Sequence, residues 1–315
     1  MITVVTLNPA LDKYYLLPGF GLAGVHRVKE MKVLPSGKGI NVARVLARFG
    51  VPVQVTGVVA GYTGQRICHE LDRLGIPHDM LWCESGESRQ CLLVMDCWSP
   101  AHSIHTEILE PGPPLSEKVL ADLTAKVGEL AGEDNWVVLS GSPPDHVPDD
   151  YYASLIKAAH ARGAKTLVDV RGKWLAAAVA AGPAVIKPNL QEFEELVGPC
   201  PSVDAVRTAA RRLVEKHGIK LIIISRGQEA SLVVTADSSW LVEPPQVPVI
   251  SAVGCGDTLV GGFLAGLHRE MTLIDAICLG TAAASASACR IGAGEFAGDE
   301  ARRLRPFVQC KCLNQ

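Results

Sequence analysis

Asp257 closes the run Gly254-Cys255-Gly256-Asp257, and an apolar helical pattern, TLVGGFLAGL, follows at once. Glycines let successive backbone N–H groups converge, and a helix N-terminus adds partial positive charge, a pairing that suits an oxyanion or a phosphate. A carboxylate beside such a hole stands where a base takes the proton from an attacking hydroxyl. An acid in the first turn also stabilises a helix with no chemistry attached, and this run alone does not choose between the two. It is not a Walker loop, because G-K-[ST] occurs nowhere in the chain. Nor is it a dinucleotide fingerprint, because Leu259 stands where the third glycine of G-x-G-x-x-G belongs.

Four other groups could act with it. In PSGKGINVARVL, Gly37 and Gly39 flank Lys38, and Asn41 lies in the first turn of the next helix. Backbone donors, an ammonium and an amide suit a polyhydroxylated or phosphorylated ligand, although a glycine turn with a solvated lysine reads the same way. In VIKPNLQEFEEL, Pro188 keeps Lys187 extended at a strand exit. Asn189 and Glu192 there have the spacing of a capping box, and they could equally organise a Mg²⁺ ion through water with Lys187 near a phosphate. TLNPALDK supplies Asp12 after a strand, as a hydroxyl ligand or a turn residue. GESRQC supplies Arg89, whose guanidinium could clamp a phosphate or simply be solvated.

These residues need a frame. Strand-like runs (ITVVTL, VPVQVTGVV, NWVVLSG, AKTLVDV, AVIKPN, LIIISRG, SLVVTAD) alternate with helix-length patterns such as GINVARVLARFG, DDYYASLIKAAHARG, DAVRTAARRLVEKHG and LIDAICLGTAAASASACR. Helix ends at Gly50, Gly163 and Gly218 look like left-handed caps, and Ser116 like an N-cap. Alternation with continuously apolar strands predicts one α/β domain over 1–315, a three-layer sandwich on a mainly parallel sheet covered on both faces. Residues 13–36 and 82–110 break the alternation and read as a small added sheet. Ligands on such sheets bind beyond the carboxyl ends of strands. Residues 8–12, 141–145, 187–192 and, after PVISAV, 254–257 all fall there.

Composition narrows the partners. The 315 residues are 48% apolar with a net charge of -3, and no basic stripe suggests nucleic acid or an anionic membrane. The first residues read as a strand entering a loop, so no leader is expected, and no apolar run is long enough to span a bilayer. The ten cysteines lack metal spacing and the chain is neither short nor loop-rich, so a cytoplasmic, reduced protein is expected. HSIH (102–105) has no supporting ligand, and no zinc is expected.

In order along residues 3–267, TLNPALD, GKGINVARVL, TEILEPGP, KPNLQEFEEL and VGCGDTLVGGFLAGL resemble the PfkB (ribokinase-like) carbohydrate kinases. The branch they are most similar to holds 1-phosphofructokinases, tagatose-6-phosphate kinases and the minor 6-phosphofructokinase. The resemblance implies a ribokinase-like α/β/α fold whose β lid is the added sheet. It implies phosphorylation of a primary hydroxyl of a phosphosugar by ATP with Mg²⁺, the acceptor being fructose 1-phosphate or tagatose 6-phosphate. Fructose 6-phosphate, an unphosphorylated sugar or nucleoside, and a weakly catalytic sugar-phosphate sensor are the alternatives. By position, Asp257 would be the base and Gly254, Cys255 and Gly256 the anion hole. Asp12, Gly37, Lys38, Gly39 and Asn41 would hold the sugar, and Arg89 its phosphate. Lys187, Asn189, Glu192, Ser225 and Gly227 would serve the nucleotide, with Asn189 and Glu192 on the metal. A homodimer through the lid is implied as well. Ser36, Cys91, Pro143 and Arg171 depart from the family pattern, all on the acceptor side.

Overall fold

The structure, a computed structural model, describes residues 1–21, 23–96 and 105–313. In chain order the strands are β1 (Ile2–Thr6), β2 (Ala10–Leu17), β3 (Glu30–Ser36), β4 (Val53–Val59), β5 (His78–Trp82), β6 (Arg89–Asp96) and β7 (His105–Leu109). They continue as β8 (Trp136–Ser140), β9 (Lys165–Asp169), β10 (Val185–Ile186), β11 (Leu221–Arg226), β12 (Glu229–Val234), β13 (Ser239–Glu243) and β14 (Gln309–Cys312). The helices are α1 (Lys38–Arg48), α2 (Gly61–Arg73), α3 (Glu117–Leu130), α4 (Tyr151–His160), α5 (Gly172–Ala180), α6 (Leu190–Val197), α7 (Val203–His217), α8 (Cys255–His268), α9 (Leu273–Ala288) and α10 (Gly298–Leu304).

The main sheet has ten strands in the order β14-β13-β12-β11-β10-β9-β8-β1-β4-β5. From β11 to β5 every pairing is parallel, and β12, β13 and β14 extend it antiparallel. The expected mainly parallel sheet is what forms. Its continuously apolar strands divide their side chains between two layers, because successive Cβ atoms point to opposite faces. Val4, Val138 and Ile223 join one core with α1, α2, α8 and α9. Val5, Leu139 and Ile222 join the other with α3, α4, α5, α6 and α7. Among the described residues no helix is long and apolar enough to cross a membrane.

The small sheet, in the order β3-β2-β6-β7, is present, with altered boundaries. It begins at Ala10 and Arg89, while Trp82 pairs with Val59 in the main sheet. The HSIH stretch, apart from its last residue, lies outside the described residues. Gly50, Gly163 and Gly218 take positive φ at helix ends, and Ser116 accepts from the Val119 N–H, as expected. PVISAV is not a strand. Residues 244–253 carry Pro244, Pro245 and Pro248, which have no N–H for a ladder, and the N–H groups of Ile250 and Ser251 donate to Ala288 O at the end of α9.

The glycines after Asp257 serve packing. A Cβ on Gly262 would lie 2.8 Å from Gly280 Cα, and one on Gly266 2.6 Å from Ala276 Cα. The i, i+4 spacing puts both on the face where α8 presses on α9. That contact fixes the helix whose N-terminus carries Asp257.

Candidate active site

One cavity of about 960 Å³ opens beyond the carboxyl ends of β1, β8, β9, β10 and β11 and beneath the small sheet. That is near the top of the ~300–1,000 Å³ usual for small-molecule sites, room for two ligands side by side. It gathers Asp12, Gly37, Lys38, Asn41, Arg89, Lys187, Asn189, Glu192, Ser225, Gly227, Gly254, Cys255, Gly256 and Asp257. Of the residues singled out by sequence, Gly39 alone is not on its wall. A Cβ there would stand 2.9 Å from Thr6 Cβ, so Gly39 lets α1 settle against β1.

Asp257 is 5% exposed, and Asn41 Nδ2 donates to its Oδ2 at 2.8 Å. Burial first, and then the charge of Asp169, raise its carboxyl to about 7, against the pull of Lys38, Asn41 and Lys187. Gly254 caps α8 in the left-handed region, at φ 73°. Among the described residues the backbone N–H groups of Gly256 and Asp257 find no acceptor, whereas that of Cys255 donates to Ala252 O at 3.2 Å. The open donors of this helix terminus therefore lie at Gly256 and Asp257. The Cys255 thiol points the other way, to Ala284 O at 3.5 Å, and burial first pushes its pKa up to about 12. Lys187 Nζ lies beside the donors, 3.3 Å from where a Gly256 Cβ would be.

Sequence reasoning missed Asp169, the residue that organises the cations. It is 1% exposed, with Lys38 Nζ 3.0 Å from Oδ1 and Lys187 Nζ 3.3 Å from Oδ2. Burial opposes its charge, but the two ammonium groups outweigh burial and hold its pKa below the ordinary value. The signal was available: an acid at the end of the apolar run TLVDV is a strand-end carboxylate. Thr281 and Ser285 on α9 also line the cavity. Their i, i+4 spacing in an alanine-rich helix reads as core, and nothing in the pattern marks them.

Asn189 and Glu192 do form the capping box: Asn189 Oδ1 accepts from Glu192 N at 2.8 Å, and Glu192 Oε2 accepts from Asn189 N at 2.9 Å. Glu192 Oε1 makes no hydrogen bond among the described residues. With the free Glu192 Oε1 and the Asp169 carboxylate, whose Oδ2 is ion-paired with Lys187, the donor set suits Mg²⁺, which takes one or two carboxylates plus water and substrate phosphates. Ser225 is tied in by an isolated bridge to Asn189, and Gly227 turns from β11 to β12 at φ 65°.

On the small-sheet side, Asp12 is buried, and Ser36 Oγ donates to its Oδ2 at 2.6 Å while lying 3.1 Å from Asn41 Oδ1. Asp12, Ser36, Asn41 and Asp257 thus form one polar chain along the floor. Burial raises the Asp12 pKa, with Ser36 and the Arg89 charge opposing it. Arg89 donates through Nε to Asn8 O at 3.3 Å, leaving its terminal nitrogens to the cavity. Ser36, Cys91, Pro143 and Arg171 all line this cavity.

Residues 12–299 match the pfkB family carbohydrate kinase domain. The chain belongs to the PfkB family of carbohydrate kinases. It is an ATP-dependent sugar kinase with the three-layer ribokinase-like fold. Phosphofructokinase-2 from Escherichia coli, solved in complex with substrates and products, is 30% identical over 98% of both chains with a TM-score of 0.90. The same enzyme has been seen in a tetrameric inhibited form, 30% identical over 97% of this chain and 98% of that one, TM-score 0.88. A possible 1-phosphofructokinase from Thermotoga maritima, 23% identical over 99% of both chains with a TM-score of 0.87, shares the fold.

Gly254 gives a sharp test of the helix terminus. A Cβ there would lie 2.2 Å from Ala293 Cβ, on backbone at positive φ. Gly254→Ala must displace the turn, and a misplacement near 1 Å costs about 10²-fold. A steady-state kcat at least that much lower is expected, with the fold kept by circular dichroism.

Proposed function

We propose that the kinase transfers the γ-phosphoryl group of ATP to a primary hydroxyl of a phosphosugar, fructose 1-phosphate or tagatose 6-phosphate. The observation that carries this reading is the placement of Asp257. A buried carboxylate with a raised pKa shares its helix turn with two open backbone N–H donors and stands close to the Lys187 ammonium. A hydroxyl presented to Asp257 gives up its proton as it attacks, and Asn41 holds the receiving carboxylate in orientation. The N–H groups of Gly256 and Asp257 and the ammonium of Lys187 meet the charge on the phosphoryl oxygens, which is most of what catalysis of this reaction requires. Glu192 and Asp169, with Asn189 supporting Glu192, would hold Mg²⁺, which neutralises phosphate charge when bound. Asp12, Lys38 and Asn41 would hold sugar hydroxyls.

Arg89 supports a phosphorylated acceptor. Its guanidinium lines the small-sheet side of the cavity and, among the described residues, only its Nε makes a hydrogen bond. Arg89→Met is expected to raise the KM for the phosphosugar about 10- to 100-fold, the value of a hydrogen bond to a charged group at ~1.5–3 kcal/mol. The KM for ATP should stay within about twofold. Equal effects on both substrates, or none, would remove Arg89 from that role.

A second copy of the chain is proposed to cover the outer face of the small sheet, where Val25, Val28, Met31 and Ile108 are exposed on its strands and connections.

A further inference from the structure

Resting on the kinase reading, the geometry points to a buried strut that sets the anion hole: the backbone of Ala293, held by Tyr14 and Arg44. Ala293 packs directly on Gly254, close enough that a Cβ on the glycine would meet Ala293 Cα at 2.8 Å. Both backbone polar groups of Ala293 are held by side chains from the other half of the chain. Its N–H donates to the Tyr14 hydroxyl at 3.2 Å, and its C=O accepts from Arg44 Nη1 at 3.0 Å.

The elements that supply these contacts also supply the acceptor side of the cavity. Tyr14 follows Asp12 by two residues on β2, on the same face of the strand, and its hydroxyl donates to Asp12 Oδ2 at 3.4 Å. Arg44 follows Asn41 by three residues on α1, one turn along the same face, and Asn41 holds Asp257. One residue of each pair faces the cavity, and the other braces the loop beneath Gly254. Neighbouring groups stiffen that loop. Glu295 pairs with Arg44, Arg48 and Lys32, and Lys32 Nζ also donates to Ile291 O at 3.1 Å. The Tyr14 ring, 0% exposed, belongs to a cluster with Cys91 and Leu93 against which Val253 and Ile291 pack.

Tyr14 and Arg44 are therefore positioning residues. They touch neither reacting group, and they fix the residue against which the N-cap of α8 rests. Tyr14→Phe keeps the ring in its cluster and removes only the hydroxyl. Ala293→Gly keeps both backbone groups and removes the Cβ that meets Gly254.

The test is kcat per nucleotide-binding site for the two single variants and the double variant, with amide hydrogen exchange over residues 253–257. Each single change is expected to lower kcat about 3- to 10-fold, the range that one neutral hydrogen bond carries. Both KM values should stay within about twofold. The double variant should be little worse than the poorer single one, because both act through one contact. Exchange over 253–257 should quicken in each variant. Unchanged kcat per site, fully additive losses, or unchanged exchange would overturn the strut. If the wild type phosphorylates no sugar phosphate, the acceptor reading fails instead, and the exchange comparison alone still decides the strut.

Discussion

Asp257→Asn is expected to lower kcat by about 10²–10⁴, the usual worth of a positioned base, with ATP affinity within about twofold of wild type. Asparagine keeps the size of the side chain and can still accept from Asn41, so the change removes the proton acceptor and little else. A weak effect would mean that the hydroxyl is deprotonated elsewhere, because phosphoryl transfer depends more on alignment and charge than on the base. Steady-state kcat beside a nucleotide titration separates the cases. A near-wild-type kcat would take Asp257 out of the mechanism, and lost ATP binding would make it a structural support for the helix terminus.

Asp169→Asn is expected to cost more in stability and to move the pH profile. Asp169 is the buried partner of Lys187, itself 4% exposed. Breaking one side of a buried pair costs about 3–5 kcal/mol, because the remaining charge is left uncompensated. The cations it aligns would shift, and a displacement near 1 Å lowers kcat about 10²-fold. The pH effect has a definite sign. Asp257 works deprotonated, so activity is lost as pH falls through its pKa, which stands near 7 in the wild-type chain. Burial is the first cause and the Asp169 charge the second, while Lys38, Asn41 and Lys187 pull the other way. Removing the Asp169 charge leaves the downward pulls less opposed, so the acid limb of kcat/KM, which reports the free enzyme, moves to lower pH. An unmoved limb would mean that Asp169 does not act on Asp257 electrostatically.

Much of this was legible in the residues. Motifs at strand exits needed only the order of apolar runs and the rule that ligands bind beyond carboxyl ends, and Lys187 reaches the cavity for that reason. Asp12 instead comes from within β2 of the small sheet, Lys38 from the start of α1, and Asp257 from the start of α8 with no strand directly before it. What stayed hidden depends on contacts between distant segments. PVISAV has a strand's composition, yet its prolines and its bonds to Ala288 make it a cavity wall. Cys255 sits inside the glycine run, but its N–H is spent on Ala252 and its thiol turns to α9. Gly39 belongs by sequence to the binding loop, and only the approach of α1 to β1 shows it as a packing residue. Ser36 read as a mere departure. In three dimensions its hydroxyl joins Asp12 to Asn41, so the side chain that differs from the family pattern has a place in the polar floor.

The central claim is that the acceptor already carries a phosphate. The most direct measurement is coupled ADP release with Mg·ATP, comparing fructose 1-phosphate, tagatose 6-phosphate and fructose 6-phosphate with free fructose and ribose. The account predicts a kcat/KM of at least ~10⁴ M⁻¹s⁻¹, the lower end for working enzymes, for fructose 1-phosphate or tagatose 6-phosphate. It predicts that the free sugars fall at least about tenfold below, by the charged contact that Arg89 would lose. A free sugar turned over as well as any phosphosugar, or no turnover with any of the five, would contradict it.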